Sequence, residues 1–264
     1  MAFCAPTLII VAHGAQNTCS APGGLLKVLL HQRLPHFDVG LGFLRGKPNI
    51  SAVLADVQAK SPEDILLFPL FFGQSPLVTK ELPEKVRRVI SSPVRVLPAA
   101  GDLPGLPRML ASRISARLGS DGYNRERTAI FLISHGRKTD KEPASNLTGI
   151  RKAVAHITDF DEIYNVQLEG AVSLKNWRTM THLRKALFIP LMAGDGDHCL
   201  HDIPDAVNAR SDEHVDILAP VGTWWELSNL LADYVNRNWL SCRCVTGKSK
   251  SSETRELAPC LTED

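Results

Sequence analysis

A chain of 264 residues, 44% apolar and 22% charged, has the composition of a globular protein and the length to bury two ordinary α/β cores. Its formal charge of +2 argues against a nucleic-acid-binding surface spread over the whole molecule. No apolar run approaches the roughly 20 residues needed to cross a bilayer, which excludes a membrane span of the ordinary helical kind.

Residues 1–12 carry no basic segment before their short apolar stretch, so they read as a first strand rather than a signal peptide, and the expected location is the cytoplasm. LIIVA (8–12) is that strand. Amphipathic stretches predict helices over 24–34, 51–60, 82–90 and 107–118, with apolar strands at 65–72 and 94–98 between them. The polar, glycine-containing GSDGYNRER (119–127) reads as a linker. Strands follow at 130–134, 164–168, 186–192 and 215–219, and Trp224 and Trp225 open a further helix. After Trp239 the sequence is poor in large apolar residues and reads as a tail. Cys4, Cys19, Cys199, Cys242, Cys244 and Cys260 show no spacing of a disulfide framework and read as incidental thiols.

The chain repeats itself. LIIVAHG (8–14) returns as IFLISHG (130–136), and GFLRG (42–46) as VQLEG (166–170), at offsets of 122 and 124. FPLFFGQSPLVTKELP (68–83) returns as IPLMAGDGDHCLHDIP (189–204), and VRVLPAAG (94–101) as VDILAPVG (215–222), both at 121. Four matches in one order at nearly one offset indicate a tandem duplication. Repeated βα units imply parallel sheets with helices on both faces, so the expected fold is α/β: two tandem flavodoxin-like or Rossmann-like domains. The expected boundaries are 1–120, 121–240 and a tail at 241–264.

Ligands of open parallel sheets bind beyond the carboxyl ends of the strands. His135 follows one strand, Glu169 a second, and the 194–201 segment with His198 a third, so one sheet edge collects all three. The first copy is an internal control. It keeps His13 but has Arg45 and Leu77 where Glu169 and His198 stand, so a single site belongs to the second copy. Imidazole with carboxylate suits Fe²⁺, Co²⁺, Ni²⁺ or Zn²⁺ better than Mg²⁺ or Ca²⁺, and imidazole can also take up a proton. His201 and Asp197 are weaker candidates; His31, His36, His156, His182 and His214 lie in expected helices or loops and read as ordinary. Trp224 and Trp225 suggest packing, or a flat surface for a ring.

VAHG and ISHG after a first strand, Leu-Glu at a second strand end and the PL…G…H…DIP segment resemble the sirohydrochlorin chelatases. The resemblance spans roughly residues 8–231. It implies insertion of a divalent metal substrate (Co²⁺, Fe²⁺ or Ni²⁺) into a sirohydrochlorin-like tetrapyrrole, in a cleft between two lobes, without a nucleotide. The family's metal-binding and proton-accepting histidines match His135 and His198, and its strand-end carboxylate matches Glu169. Because such a substrate carries many carboxylates, Arg45, Lys47, Arg137 and Lys138 are the candidates to hold it. The expected state is a monomer or homodimer, with no nucleic-acid or membrane partner. Two other readings stay open: a carrier of metal or tetrapyrrole with the same site, and a hydrolase or phosphohistidine enzyme. Against the last, Ala12 and Ser134 precede the histidines where an Arg-His-Gly phosphatase has arginine, and there is no G-x-S-x-G, P-loop or G-x-G-x-x-G motif.

Overall fold

The computed structural model describes residues 5–14, 22–62, 64–119 and 127–245, without the side chains of 240–245. The first lobe runs β1 (Thr7–Ala12), α1 (Gly24–Arg33), β2 (Asp38–Phe43), α2 (Ile50–Lys60), β3 (Ile65–Pro69), α3 (Leu82–Val89), β4 (Val94–Val96) and α4 (Leu106–Leu118). The second runs β5 (Thr128–Gly136), α5 (Ser145–Thr158), β6 (Ile163–Glu169), β7 (Lys185–Pro190), α6 (Ile203–Val207), β8 (His214–Ile217) and α7 (Trp225–Val245). All pairings are parallel, in the orders β2-β1-β3-β4 and β6-β5-β7-β8. The central strands β1 and β3 are buried at every position, which is why they read as unbroken apolar runs rather than alternating ones.

The two lobes differ locally from each other and from the expected spans. β3 stops at Pro69, so the last three residues of the expected strand already belong to the loop at the sheet edge. Where the first lobe has α2, the second has a 3₁₀ segment, Leu174–Thr179, anchored by buried Trp177, whose Nε1 donates to Val207 O at 3.1 Å. The starts of α2 and of this segment are capped alike. Asn49 accepts from the Ser51 N–H, and Ser173 accepts from the Lys175 N–H.

Composition suggests two separate cores, but one apolar cluster runs through both lobes. The last helix of each lobe packs on the first helix of the other: α4 on α5, and α7 on α1. Leu106, Leu110 and Ile114 of α4 share a cluster with Leu147, Ile150 and Val154 of α5, and with Leu227, Leu231 and Val235 of α7. Smaller clusters cover the outer face of each sheet. Polar contacts follow the same exchange. Arg117 of α4 donates to Asp216 of β8 at 2.5 Å, and Trp239 of α7 donates to Asp64 at 3.0 Å with its ring edge-on to Phe37 at 4.9 Å. α7 continues to Val245, past the expected start of the tail. Most of the expected linker, and the tail from residue 246, lie outside the described residues, as do Cys4, Cys19 and Cys260. Among the described residues no helix is long and apolar enough to cross a membrane.

Trp239 is 6% exposed and joins the lobes by both packing and a hydrogen bond. Trp239→Ala is therefore expected to cost about 3 kcal/mol of stability, read from urea unfolding followed by circular dichroism. A loss under about 1 kcal/mol would mean that the ring does not tie the lobes together.

Candidate functional site

His13 and His135 stand at equivalent strand ends, each followed by a glycine in the left-handed region, Gly14 at φ 91° and Gly136 at φ 68°. The neighbouring strand forces this choice. A Cβ on Gly14 would lie 1.7 Å from the Arg45 carbonyl oxygen, and one on Gly136 would lie 1.9 Å from that of Glu169. Only glycine allows both the backbone angle and the approach. Each histidine then directs Nδ1 at the carbonyl of its own following glycine, at 3.0 Å for His13 and 2.8 Å for His135, leaving Nε2 facing outward.

In the second lobe that outward nitrogen meets another. His135 Nε2 and His198 Nε2 are 3.0 Å apart, with the rings crossed at 80°. His198 begins a π-helical turn, His198–Asp202, and its Nδ1 lies 2.5 Å from Asp202 Oδ2. The acceptors assign the tautomers: a carbonyl and a carboxylate can only receive, so both Nδ1 atoms carry the hydrogen. The two Nε2 atoms thus face each other across 3.0 Å, an arrangement that a proton or a cation shared between them satisfies. Ligands ~2.1 Å from one metal stand roughly 3.0 Å apart at a right angle and roughly 3.4 Å apart at a tetrahedral angle. The observed gap matches the first.

Glu169 ends β6 in register with Gly136 but makes no hydrogen bond or ion pair with either imidazole among the described residues. Likewise, no group of three His, Cys, Asp or Glu side chains among them is gathered closely enough to hold a metal. The structure therefore joins His135 to His198, with Glu169 on the adjoining strand end. His201 and Asp197 are exposed, and neither side chain makes a hydrogen bond to the pair among the described residues.

Two participants escape the sequence reading. Asp202 fixes the His198 ring; its signal is the carboxylate shared by KELP and LHDIP in the aligned copies. Gln167, 1% exposed, wedges its amide between the two turns. A Cβ on Gly136 would lie 2.8 Å from Gln167 Nε2, one on Gly170 would lie 2.6 Å from its Oε1, and that oxygen has no hydrogen-bond partner among the described residues. The first lobe has Phe43 there, and this polar-for-apolar exchange was the available signal.

The four basic candidates separate. Arg45 is held by both carboxylate oxygens of Glu81, and the Arg45 hydrogen bond keeps the Glu81 carboxyl below the ordinary carboxylate range. Arg137 pairs with Asp140 at 2.9 Å. Lys47 and Lys138 are exposed, with no ion-pair partner among the described residues. Of the four, only Arg137 lines the interlobe cleft, a volume of about 540 Å³ at the carboxyl ends of both sheets. Its other polar walls are Gln74, Ser75, Thr79 and Asp102 from the first lobe and Asp140 and Glu142 from the second. Asn146 at the start of α5 braces it, donating to Phe72 O at 2.8 Å and to Asp102 at 3.1 Å. The basic cleft expected for a polycarboxylate is, in this wall, an acidic one. Trp224 is buried, and Trp225 is half exposed at the start of α7.

Residues 7–117 match the family model described as CbiX. The match covers the first lobe, which is similar to the CbiX group of sirohydrochlorin chelatases. The second lobe repeats the topology of the matched one. No curated protein matches the sequence. Among solved structures, the chain is similar to CbiX, the terminal enzyme for biosynthesis of siroheme in denitrifying bacteria (19% identity, TM-score 0.69, 88% of this chain and 98% of that one). It is also similar to SirB, the sirohydrochlorin chelatase of Bacillus subtilis subspecies spizizenii in complex with cobalt (12%, 0.62, 91% and 97%). A third is DR2241 of Deinococcus radiodurans, a multi-domain protein with structural similarity to chelatases (15%, 0.69, 91% and 60%). These likenesses show a shared two-lobed fold.

In this chelatase fold the residue after His198 is Cys199, the free cysteine whose side chain is described. Burial, helped by the charge of Asp195, pushes its thiol up to about 12. Its Sγ lies 3.5 Å from both Met192 Sδ and Gly194 O. Since the thiolate is the reactive form, Cys199 is expected to alkylate at least about tenfold more slowly in the native protein than in the unfolded chain at pH 8. Iodoacetamide labelling with peptide mapping checks this, and equal rates would contradict the burial.

Proposed function

We propose that the protein inserts a divalent metal into a sirohydrochlorin-like tetrapyrrole, and that the metal is received by His135 and His198. The observation that carries this reading is the convergence of two Nε2 atoms at 3.0 Å, both rings held by hydrogen bonds on their far nitrogens. The CbiX match of the first lobe and the fold shared with solved chelatases support the reaction class.

The chemistry needs a transient holder of metal. A divalent ion entering the macrocycle replaces two pyrrole N–H protons, so each turnover releases one metal from its protein ligands and two protons from the substrate. Neutral imidazoles hold Co²⁺, Fe²⁺ or Ni²⁺ without adding charge, and once the metal has left their Nε2 atoms are free to take those protons. In this scheme Glu169, on the adjoining strand end, turns toward the pair as a third ligand or a proton acceptor. Asp202 is a positioning residue, orienting His198 through Nδ1. Arg137, released from Asp140, is the basic group best placed to meet a substrate carboxylate in the cleft.

The acidic wall formed by Asp102, Asp140 and Glu142 favours a second reading, a metal carrier that keeps the histidine pair without turnover. One experiment separates them. With sirohydrochlorin and Co²⁺, Fe²⁺ or Ni²⁺, followed by absorbance, the wild type is expected to exceed the spontaneous rate, and His135→Ala and His198→Ala to lose at least about 100-fold. Metal binding without acceleration would favour the carrier, and full activity in either variant would remove the pair from the reaction. Asp202→Asn is expected to weaken metal binding about 10- to 100-fold, measured by equilibrium dialysis, because the ring loses its orienting anion.

A further inference from the structure

The first lobe repeats the backbone of the site closely enough for its side chains to be compared one for one. His13 makes the same Nδ1 bond as His135, and the π-helical turn Leu77–Glu81 stands where His198–Asp202 stands in the second lobe. Leu77 thus takes the place of His198, Glu81 that of Asp202, and Arg45 that of Glu169. Leucine alone would remove one ligand and leave an imidazole beside a carboxylate, still a weak place for a cation. The other change acts differently. Arg45 puts both arms of its guanidinium on Glu81, and the charge of His13 is also felt at Glu81, so the three groups form one cluster.

We propose that Arg45 closes the first lobe to divalent metal, its guanidinium standing as a fixed cation where the second lobe would receive one, so that the chain loads metal in one lobe only. The inference rests on the second lobe being the metal-receiving one. Charge supports it. Lys85 lies 3.8 Å from Glu81, and Ala206 occupies the matching position in the second lobe. The first cluster therefore sets two basic groups against one carboxylate, whereas Glu169 and Asp202 flank the imidazoles of the second with no basic residue at these positions. A purely structural purpose does not account for the pair, because Arg45 is 55% exposed and such ion pairs add little stability.

The test is Co²⁺ binding by the full chain, measured by equilibrium dialysis and by the visible absorption of the bound ion. Leu77→Ala is uninformative in lobe 1, so the ligand is restored instead. Leu77→His with Arg45 kept should gain no second ion, or bind one at least about tenfold more weakly than Leu77→His/Arg45→Glu, which should raise the ratio from one ion per chain to two. Arg45→Gln replaces Arg45→Glu if that variant unfolds, as judged by circular dichroism. If Leu77→His alone binds the second ion as tightly, or if the double variant gains none, the proposal fails. Repeating both on a His135→Ala/His198→Ala background keeps the two claims apart. The double variant should then bind one ion there and Leu77→His alone none. A wild type that binds no ion, beside a double variant that does, would sink the reading of the second lobe and leave the role of Arg45 standing.

Discussion

The carbonyl oxygen at the end of β2 or β6 presses against the glycine that follows the histidine of the neighbouring strand. There is no room for a methyl group at either contact, and the backbone at each glycine is left-handed. This approach fixes how far each histidine stands beyond the sheet and turns its Nδ1 onto the next carbonyl. An imidazole held at Nδ1 has only its Nε2 to offer. Everything the sheet edge can do with a cation follows from that restriction, and both lobes share it.

The lobes diverge in what the other loops bring to that nitrogen. A carboxylate from the π-helical turn is present in both, as Glu81 or Asp202, and its partner decides its effect. In the second lobe it engages His198, whose free nitrogen then faces His135. In the first it engages Arg45, and the anion is spent on a cation already in the chain. Gln167 beneath the second site, against Phe43 beneath the first, follows the same division: a polar floor under one turn, an apolar floor under the other.

Parallel strands and the sheet edge were legible because fully buried parallel strands leave long apolar runs and because the duplication supplied its own alignment. His135 and His198 could be placed on one edge for the same reason. Their direct contact was not legible: it depends on the π-helical turn at His198, and a one-residue change in helical winding does not show in apolar periodicity. Glu169 was legible as a strand end but not in side-chain direction, since the strand fixes only its backbone. The acidic cleft wall was hidden because Asp102 comes from the first lobe and Asp140 and Glu142 from the second, and only the docking of the lobes brings them together.

That docking bears on the proposed chemistry. Since α4 and α7 each cross to the opposite lobe, widening the cleft would disturb the shared apolar cluster. An acidic wall draws a divalent cation toward the strand ends and repels the carboxylates of a macrocycle. In the proposed reaction, a sirohydrochlorin-like substrate would thus lie with its carboxylates turned away from that wall. Arg137, the one basic group on that wall and already balanced by Asp140, would then act at the edge of the ring rather than at its centre.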